Sequence, residues 1–149
     1  MVKNNALMMS IAALPLLFVL LTTPPSAKKN DEPVVVKSER LDFVVDTLVA
    51  SDEMRTPWGM AFLPNNDILV TDRSGALYLL KGGKLHAISG APAVRAKGQG
   101  GLLDIELHPN YEENGWIYMT YSKPLEGGDL GTTALARAKL KDLQLTDVE

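Results

Sequence analysis

Met60-Ala61-Phe62-Leu63-Pro64-Asn65-Asn66-Asp67-Ile68-Leu69-Val70-Thr71-Asp72-Arg73-Ser74-Gly75 is the stretch on which the fold class turns. An apolar run over 60–63 stops at Pro64 and a pair of asparagines, residue types that favour a tight turn. Residues 68–71, rich in β-branched side chains, make the next strand, and Asp72-Arg73-Ser74-Gly75 reverses the chain again. The same grammar continues with a strand over 76–80, a hairpin at Gly82-Gly83 and a strand over 84–88. Short strands joined in series by tight connections describe an antiparallel meander. A single meander cannot bury both of its faces.

The pattern recurs downstream. Leu107-His108-Pro109-Asn110 repeats the strand-Pro-Asn order of Phe62-Leu63-Pro64-Asn65, and each leads through a polar turn into an apolar strand, 68–71 or 116–121. The two prolines lie 45 residues apart, within the range of one four-stranded propeller blade. Strand-Pro-Asn-turn-strand is also common hairpin grammar, so a sandwich or a smaller barrel is the competing architecture. The expected fold is all-β: the first two to three blades of a β-propeller, incomplete because closed propellers need about four blades or more. Residues 134–140 read as an outer strand or as a short helix begun by Thr132 or Thr133, and no closing strand is expected after them.

Upstream, residues 6–21 hold 14 apolar residues of 16, broken by Ser10 and Pro15 and preceded by Lys3. That run is short for a bilayer span, and a central proline weakens a permanent helix, so residues 1–27 read as a signal peptide, with an uncleaved anchor as the alternative. Residues 28–47 are a polar spacer followed by a strand leading into the fold, and residues 48–149 are the partial propeller. The expected location is periplasmic or secreted, with membrane association only if the leader is uncleaved. Beyond residue 27 there are 14 Lys and Arg against 18 Asp and Glu, without a basic stripe, which argues against nucleic-acid binding. The chain of 149 residues has no cysteine, so disulfides and thiolate chemistry are excluded.

Gly98-Gln99-Gly100-Gly101 is the most unusual local feature. It is not a phosphate loop, because no Lys-Ser/Thr follows and residues 102–107 alternate as a strand and do not start a helix. Gln99 either satisfies local backbone groups or holds an amide, donor and acceptor at once, at a loop mouth to grip a hydroxylated ligand. His108, between a strand and Pro109, reads as a structural residue making a local hydrogen bond, and His86 reads as exposed. Asp104 and Glu106 share one strand face opposite Leu103, Ile105 and Leu107. Two carboxylates on one face could serve a glycosidase, but the alternation already explains them as solvated, and Glu112-Glu113 fits a solvated turn. Trp58, Phe62, Trp116, Tyr118 and Tyr121 are expected to fill gaps between blades.

Residues 48–149 resemble the N-terminal part of the soluble quinoprotein sugar dehydrogenases, the glucose/sorbosone or aldose sugar dehydrogenase family. The likeness rests on Thr56-Pro57-Trp58-Gly59-Met60-Ala61-Phe62-Leu63-Pro64, then Gly98-Gln99-Gly100-Gly101-Leu102-Leu103-Asp104, then Leu107-His108-Pro109-Asn110-Tyr111, then Trp116-Ile117-Tyr118-Met119-Thr120-Tyr121-Ser122. The resemblance implies a six-bladed propeller that binds pyrroloquinoline quinone (PQQ) and calcium and oxidises the anomeric carbon of aldoses. It also implies that a histidine takes the C1 hydroxyl proton while hydride passes to the quinone, with calcium polarising the acceptor. Gln99 matches the family glutamine near substrate and quinone. His108 does not match the family's catalytic histidine, which the resemblance places in a later His-x-Gly-Gly-Arg-like segment; the family's quinone-binding Arg, Asn and Lys residues and its calcium ligands also come later. No catalytic, cofactor-binding or metal residue is therefore assigned here, and the chain by itself is not expected to catalyse. The partners implied are a small sugar and an electron acceptor. The rival reading from another class is a non-enzymatic secreted propeller that binds a protein or polysaccharide.

Overall fold

A computed structural model describes residues 34–149. The leader over 1–27 and the start of the spacer lie outside the described residues. Val34–Lys37 (β1) and Asp42–Val45 (β2) pair as an antiparallel hairpin. Pro57–Phe62 (β3), Ile68–Asp72 (β4), Leu77–Lys81 (β5) and Lys84–Ile88 (β6) follow as one antiparallel sheet in chain order. Leu102–Leu107 (β7), a single helical turn Tyr111–Asn114 (α1), Trp116–Pro124 (β8), Gly131–Lys141 (β9) and Gln144–Thr146 (β10) make the second unit. Its four strands again pair in series, with β7 at one edge and β10 at the other. The two meanders expected from the repeat are both present, and the two sheets are not closed into a ring, as a partial propeller requires.

The core lies between the facing sides of the two sheets. Ala61, Leu69, Leu77, Leu79 and Ile88 of the first pack with Leu102, Ile105, Ile117, Met119, Ala136, Ala138 and Leu145 of the second. Leu69, Leu102, Ile117 and Met119 are fully enclosed, and each such side chain contributes about 2 kcal/mol by leaving water. The sheets are also joined at their outer strands, where the Ser89 N–H donates to the Leu143 carbonyl (2.9 Å) and the Leu145 N–H to the Ser89 carbonyl (2.8 Å).

Both inner strands carry a β-bulge at the same place in the repeat. In β3 the steps Pro57 to Met60 oppose Asp72 to Val70. In β7 the steps Leu102 to Ile105 oppose Tyr121 to Met119. Two residues face one in each case, Trp58 and Gly59 opposite Thr71, and Leu103 and Asp104 opposite Thr120, and the bulges lie 45 residues apart, like the prolines. A bulge reverses the alternation beyond it. Leu102 and Ile105 therefore both enter the core, while Leu103 is half-buried and Asp104 exposed. This corrects the strict two-residue pattern that put Leu103 on the core face with Ile105. The bulge in β3 also brings Gly59 onto β7, where a Cβ would stand 2.9 Å from the Asp104 carboxylate and 3.0 Å from its Cα. A larger residue would push the two blades apart.

Thr71 and Asp72, at the end of β4, are buried and polar. The Thr71 hydroxyl accepts from the Gly59 N–H (2.9 Å) and donates to the Leu103 carbonyl (2.5 Å), so one side chain joins β3, β4 and β7. The Asp72 carboxylate accepts from the backbone N–H groups of Arg55 (2.9 Å), Thr56 (2.8 Å) and Ser74 (2.8 Å). Burial pushes the Asp72 pKa up, but hydrogen bonds from Ser74, Thr56 and Arg55 together outweigh it and hold the carboxyl below its ordinary value of 3.8.

Residues 134–140 form a strand, the first of the two readings open to them. Three sequence expectations are corrected. A closing strand does exist: β10 pairs Leu145 with Leu140 and buries Leu145. Its hairpin turn, Asp142-Leu143, holds both residues at positive φ (48° and 59°), the geometry that Gly82-Gly83 adopts (57° and 72°) between β5 and β6. Trp58 and Phe62 fill no gap, being 46% and 64% exposed together with Met60, because no sheet among the described residues packs on that side of β3. His86 is half-buried where an exposed side chain was expected.

Two outcomes are expected. Leu143→Gly removes the Cβ penalty of a left-handed residue and should stabilise the chain by about 1 kcal/mol in urea unfolding. Asp72 has a depressed folded pKa, so its contribution is complete above the unfolded value and lost as pH falls through the folded one. Asp72→Asn should therefore lower the melting temperature at pH 7, and the gap to the parent chain should narrow below pH 3.8.

Candidate functional site

The loops between strands gather at two opposite ends of the sheets. At one end are the β4–β5 turn, the segment connecting β6 to β7, and the β8–β9 hairpin loop. Gln99 lies in the second of these. Lys97 to Gly100 forms a turn closed by the Gly100 N–H donating to the Lys97 carbonyl (3.0 Å). Gly98 at φ 60° followed by a residue with negative φ is the pattern of a type II′ turn, which demands glycine at its first central position. The Gln99 side chain is exposed.

Arg73 holds this loop. Its Nη1 donates to the carbonyls of Gly98 (2.9 Å) and Gly100 (3.2 Å), the residues on either side of Gln99. Its own carbonyl accepts from the Leu102 N–H (3.3 Å), and its N–H donates to the Thr56 carbonyl (2.9 Å). Gly101 lies so close that a Cβ there would overlap the Arg73 carbonyl. The loop's flanking carbonyls are thus satisfied by Arg73, so the local backbone role open to Gln99 is filled at those two positions by another residue. Sequence reading missed Arg73, because nothing in Asp72-Arg73-Ser74 points to a loop 25 residues further on. Beside this loop, Arg95 ties in the β8–β9 hairpin: its N–H donates to the Ser122 carbonyl (2.8 Å) and its guanidinium to the Asp129 carbonyl (2.5 Å).

His108 lies at the other end of the sheets. Its Nδ1 accepts from the Asn110 N–H (2.9 Å) and lies 2.8 Å from the Asn114 amide nitrogen, and its ring stacks near Tyr118 at 6.1 Å. The Asn114 side chain in turn accepts from the Trp116 N–H (2.9 Å). A histidine so engaged is a turn-building residue, as its position before Pro109 suggested. A shallow open depression of about 520 Å³ beside it is lined by Pro64, His108, Tyr111, Glu112 and Glu113, on the side away from Gln99. Asp104 and Glu106 on β7 are exposed.

Among the described residues no three His, Asp or Glu side chains converge as metal ligands. The two half-buried cationic side chains at this end, Arg73 and Arg95, both donate to backbone carbonyls.

Comparison with known proteins gives this arrangement a family. The Glucose / Sorbosone dehydrogenase model matches residues 54–149. An uncharacterized protein of Synechocystis sp. is 44% identical over 106 residues, covering 64% of this chain and 25% of the relative. The aldose sugar dehydrogenase YliI of Escherichia coli is 42% identical over 101 residues, covering 66% and 27%. The apo-form crystal structure of the soluble aldose sugar dehydrogenase from Escherichia coli superposes with TM-score 0.59 and 38% identity, over 64% of this chain and 29% of that one. The PQQ-bound aldose sugar dehydrogenase of Streptomyces coelicolor, 24% identical, shares the fold with TM-score 0.62 over 79% and 33%. The chain spans about a quarter of the length of the curated relatives it matches. Residues 54–149, with both blades and the loop that displays Gln99, thus belong to the glucose/sorbosone dehydrogenase family.

Proposed function

We propose that this chain is the exported N-terminal portion of a PQQ- and calcium-dependent dehydrogenase that oxidises the anomeric carbon of aldoses, acting in the periplasm or outside the cell. PQQ, when bound, supplies the two-electron acceptor. On this reading the catalytic base and the calcium ligands come from other blades of the complete enzyme, as the family resemblance implies. What this chain contributes is a rigid pair of blades and one polar group on their rim. The Gln99 amide can donate to one sugar hydroxyl and accept from another, which binds and orients a polyol without a charge. The observation that carries the reading is the family match over residues 54–149, which includes the loop around Gln99. A substrate-gripping side chain has to be free while its backbone is fixed, and that is the geometry found: an exposed amide on a loop held at both flanking carbonyls.

The test begins with the DNA beyond the codon for Glu149. An in-frame His-x-Gly-Gly-Arg-like segment within about one blade repeat supports the enzyme, and further blades without one overturn it. In the protein made from that complete reading frame and loaded with PQQ and calcium, Gln99→Ala should cut aldose turnover with an artificial acceptor by roughly tenfold or more. Its melting temperature should not change. Undiminished turnover would remove Gln99 from the substrate site.

A further inference from the structure

We propose that Arg73 is the positioning residue for Gln99: from the neighbouring turn its guanidinium clamps the two carbonyls that flank Gln99 and so fixes where the amide meets the sugar. This rests on the reading of Gln99 as the sugar-contacting group and adds the element that makes it effective.

Packing does not hold the loop on its Gly98 side, where nothing lies within 4 Å of the place a Cβ would take, whereas Gly100 on the other side lies close to Ser122 and the Arg95 carbonyl. A glycine on each side of Gln99 leaves the backbone its widest freedom. At Gly98 directional bonds have to do the work. The turn has its own, Gly100 N–H to Lys97 carbonyl, and begins with Lys97 N–H on the Arg95 carbonyl; Arg73 Nη1 adds those to Gly98 and Gly100. A cationic donor makes stronger bonds to carbonyls than a neutral one, and one nitrogen serving two carbonyls fixes their separation. The base of the clamp is itself immobile. Asp72, immediately before it, is 2% exposed and gripped by three backbone N–H groups, while the Arg73 backbone bonds both Thr56 and Leu102. A side chain on a fixed base and a loop unpacked at Gly98 make a one-way dependence: Arg73 sets the loop.

Two measurements test this. The first uses the full chain and a protease that cuts after lysine, reading native-state cleavage at the exposed Lys97 relative to the exposed Lys81 in the β5–β6 hairpin. Arg73→Met keeps the apolar stem but no donor, and should raise the Lys97 to Lys81 ratio on the order of tenfold, following the population of the open loop. Arg73→Lys keeps donors at shorter reach and should fall between the two. An unchanged ratio, or an equal rise at both sites, overturns the proposal. Should Arg73→Met not fold, the ratio in Arg73→Lys decides in the same way. The second measurement is a double-mutant cycle on turnover in the complete PQQ-loaded enzyme. If Arg73 acts through Gln99, Arg73→Met lowers turnover alone but adds nothing to Gln99→Ala. Additive losses overturn the coupling. Loss of the loop's protection with no effect of Gln99→Ala on turnover would instead sink the sugar-binding reading and leave the clamp standing.

Discussion

The meeting of the two inner strands turns on a single buried hydroxyl. Thr71 lies where β3, β4 and β7 meet, fully enclosed, and its oxygen serves both the Gly59 N–H and the Leu103 carbonyl. A buried hydroxyl without partners would cost about 1–3 kcal/mol, so both bulges have to be in place to supply them. The β3 bulge presents the Gly59 amide, and the β7 bulge presents the Leu103 carbonyl. Gly59 must be glycine for β7 to come near enough for this bond. The 45-residue repeat is therefore more than a recurrence of strands. The same irregularity occurs twice because each copy provides half of one junction.

From that junction outward, three consecutive residues divide the work by strand geometry. Thr71 points to the partner sheet and joins the blades. Asp72 gathers the N–H groups of Arg55 and Thr56, fixing the segment that leads into β3, and caps its own turn through Ser74. Arg73 leaves the strand and reaches the loop before β7. The rim of the site is thus attached to the most deeply buried polar pair in the described residues, and rigidity passes from core to loop through covalent neighbours.

Much of this was legible in the sequence, for identifiable reasons. The β6 limits match the expected 84–88 because Gly82-Gly83 declares its turn, and β4 follows from Asn66, which takes positive φ (67°) as asparagine readily does. The β9–β10 hairpin was invisible because Asp142-Leu143 adopts the same backbone geometry without glycine or asparagine. Tertiary contact, Leu145 in the core and Ser89 bonded to both Leu143 and Leu145, holds it there against local preference. The bulges were hidden for a related reason: a period-two reading of Leu102-Leu103-Asp104-Ile105 has no way to register an extra residue. At the site, Gln99 stood out as a polar side chain among glycines. Arg73 did not, since its role is a long-range contact that neither composition nor spacing encodes.

The outward flanks of the two sheets differ in a way that bears on the open arrangement. On the second sheet Trp116 is half-buried because Arg137 and Lys139, its neighbours across β8 and β9, lie over the ring at 4.3 and 4.8 Å. The charged heads stay in water while their stems and the ring shield one another. The first sheet has no such cover on β3, where Trp58, Met60 and Phe62 stand in solvent, although Ile68, Tyr78 and Leu80 further across that sheet are buried. Soluble monomers seldom leave a run of large apolar side chains along one inner strand without a use for it. In a ring of blades the inner strand is where neighbours come closest, as β3 and β7 do at Gly59. A bare apolar stripe confined to β3 is therefore what stacking predicts for a blade met on one side and open on the other, whereas a free-standing sandwich would have covered it with its own loops.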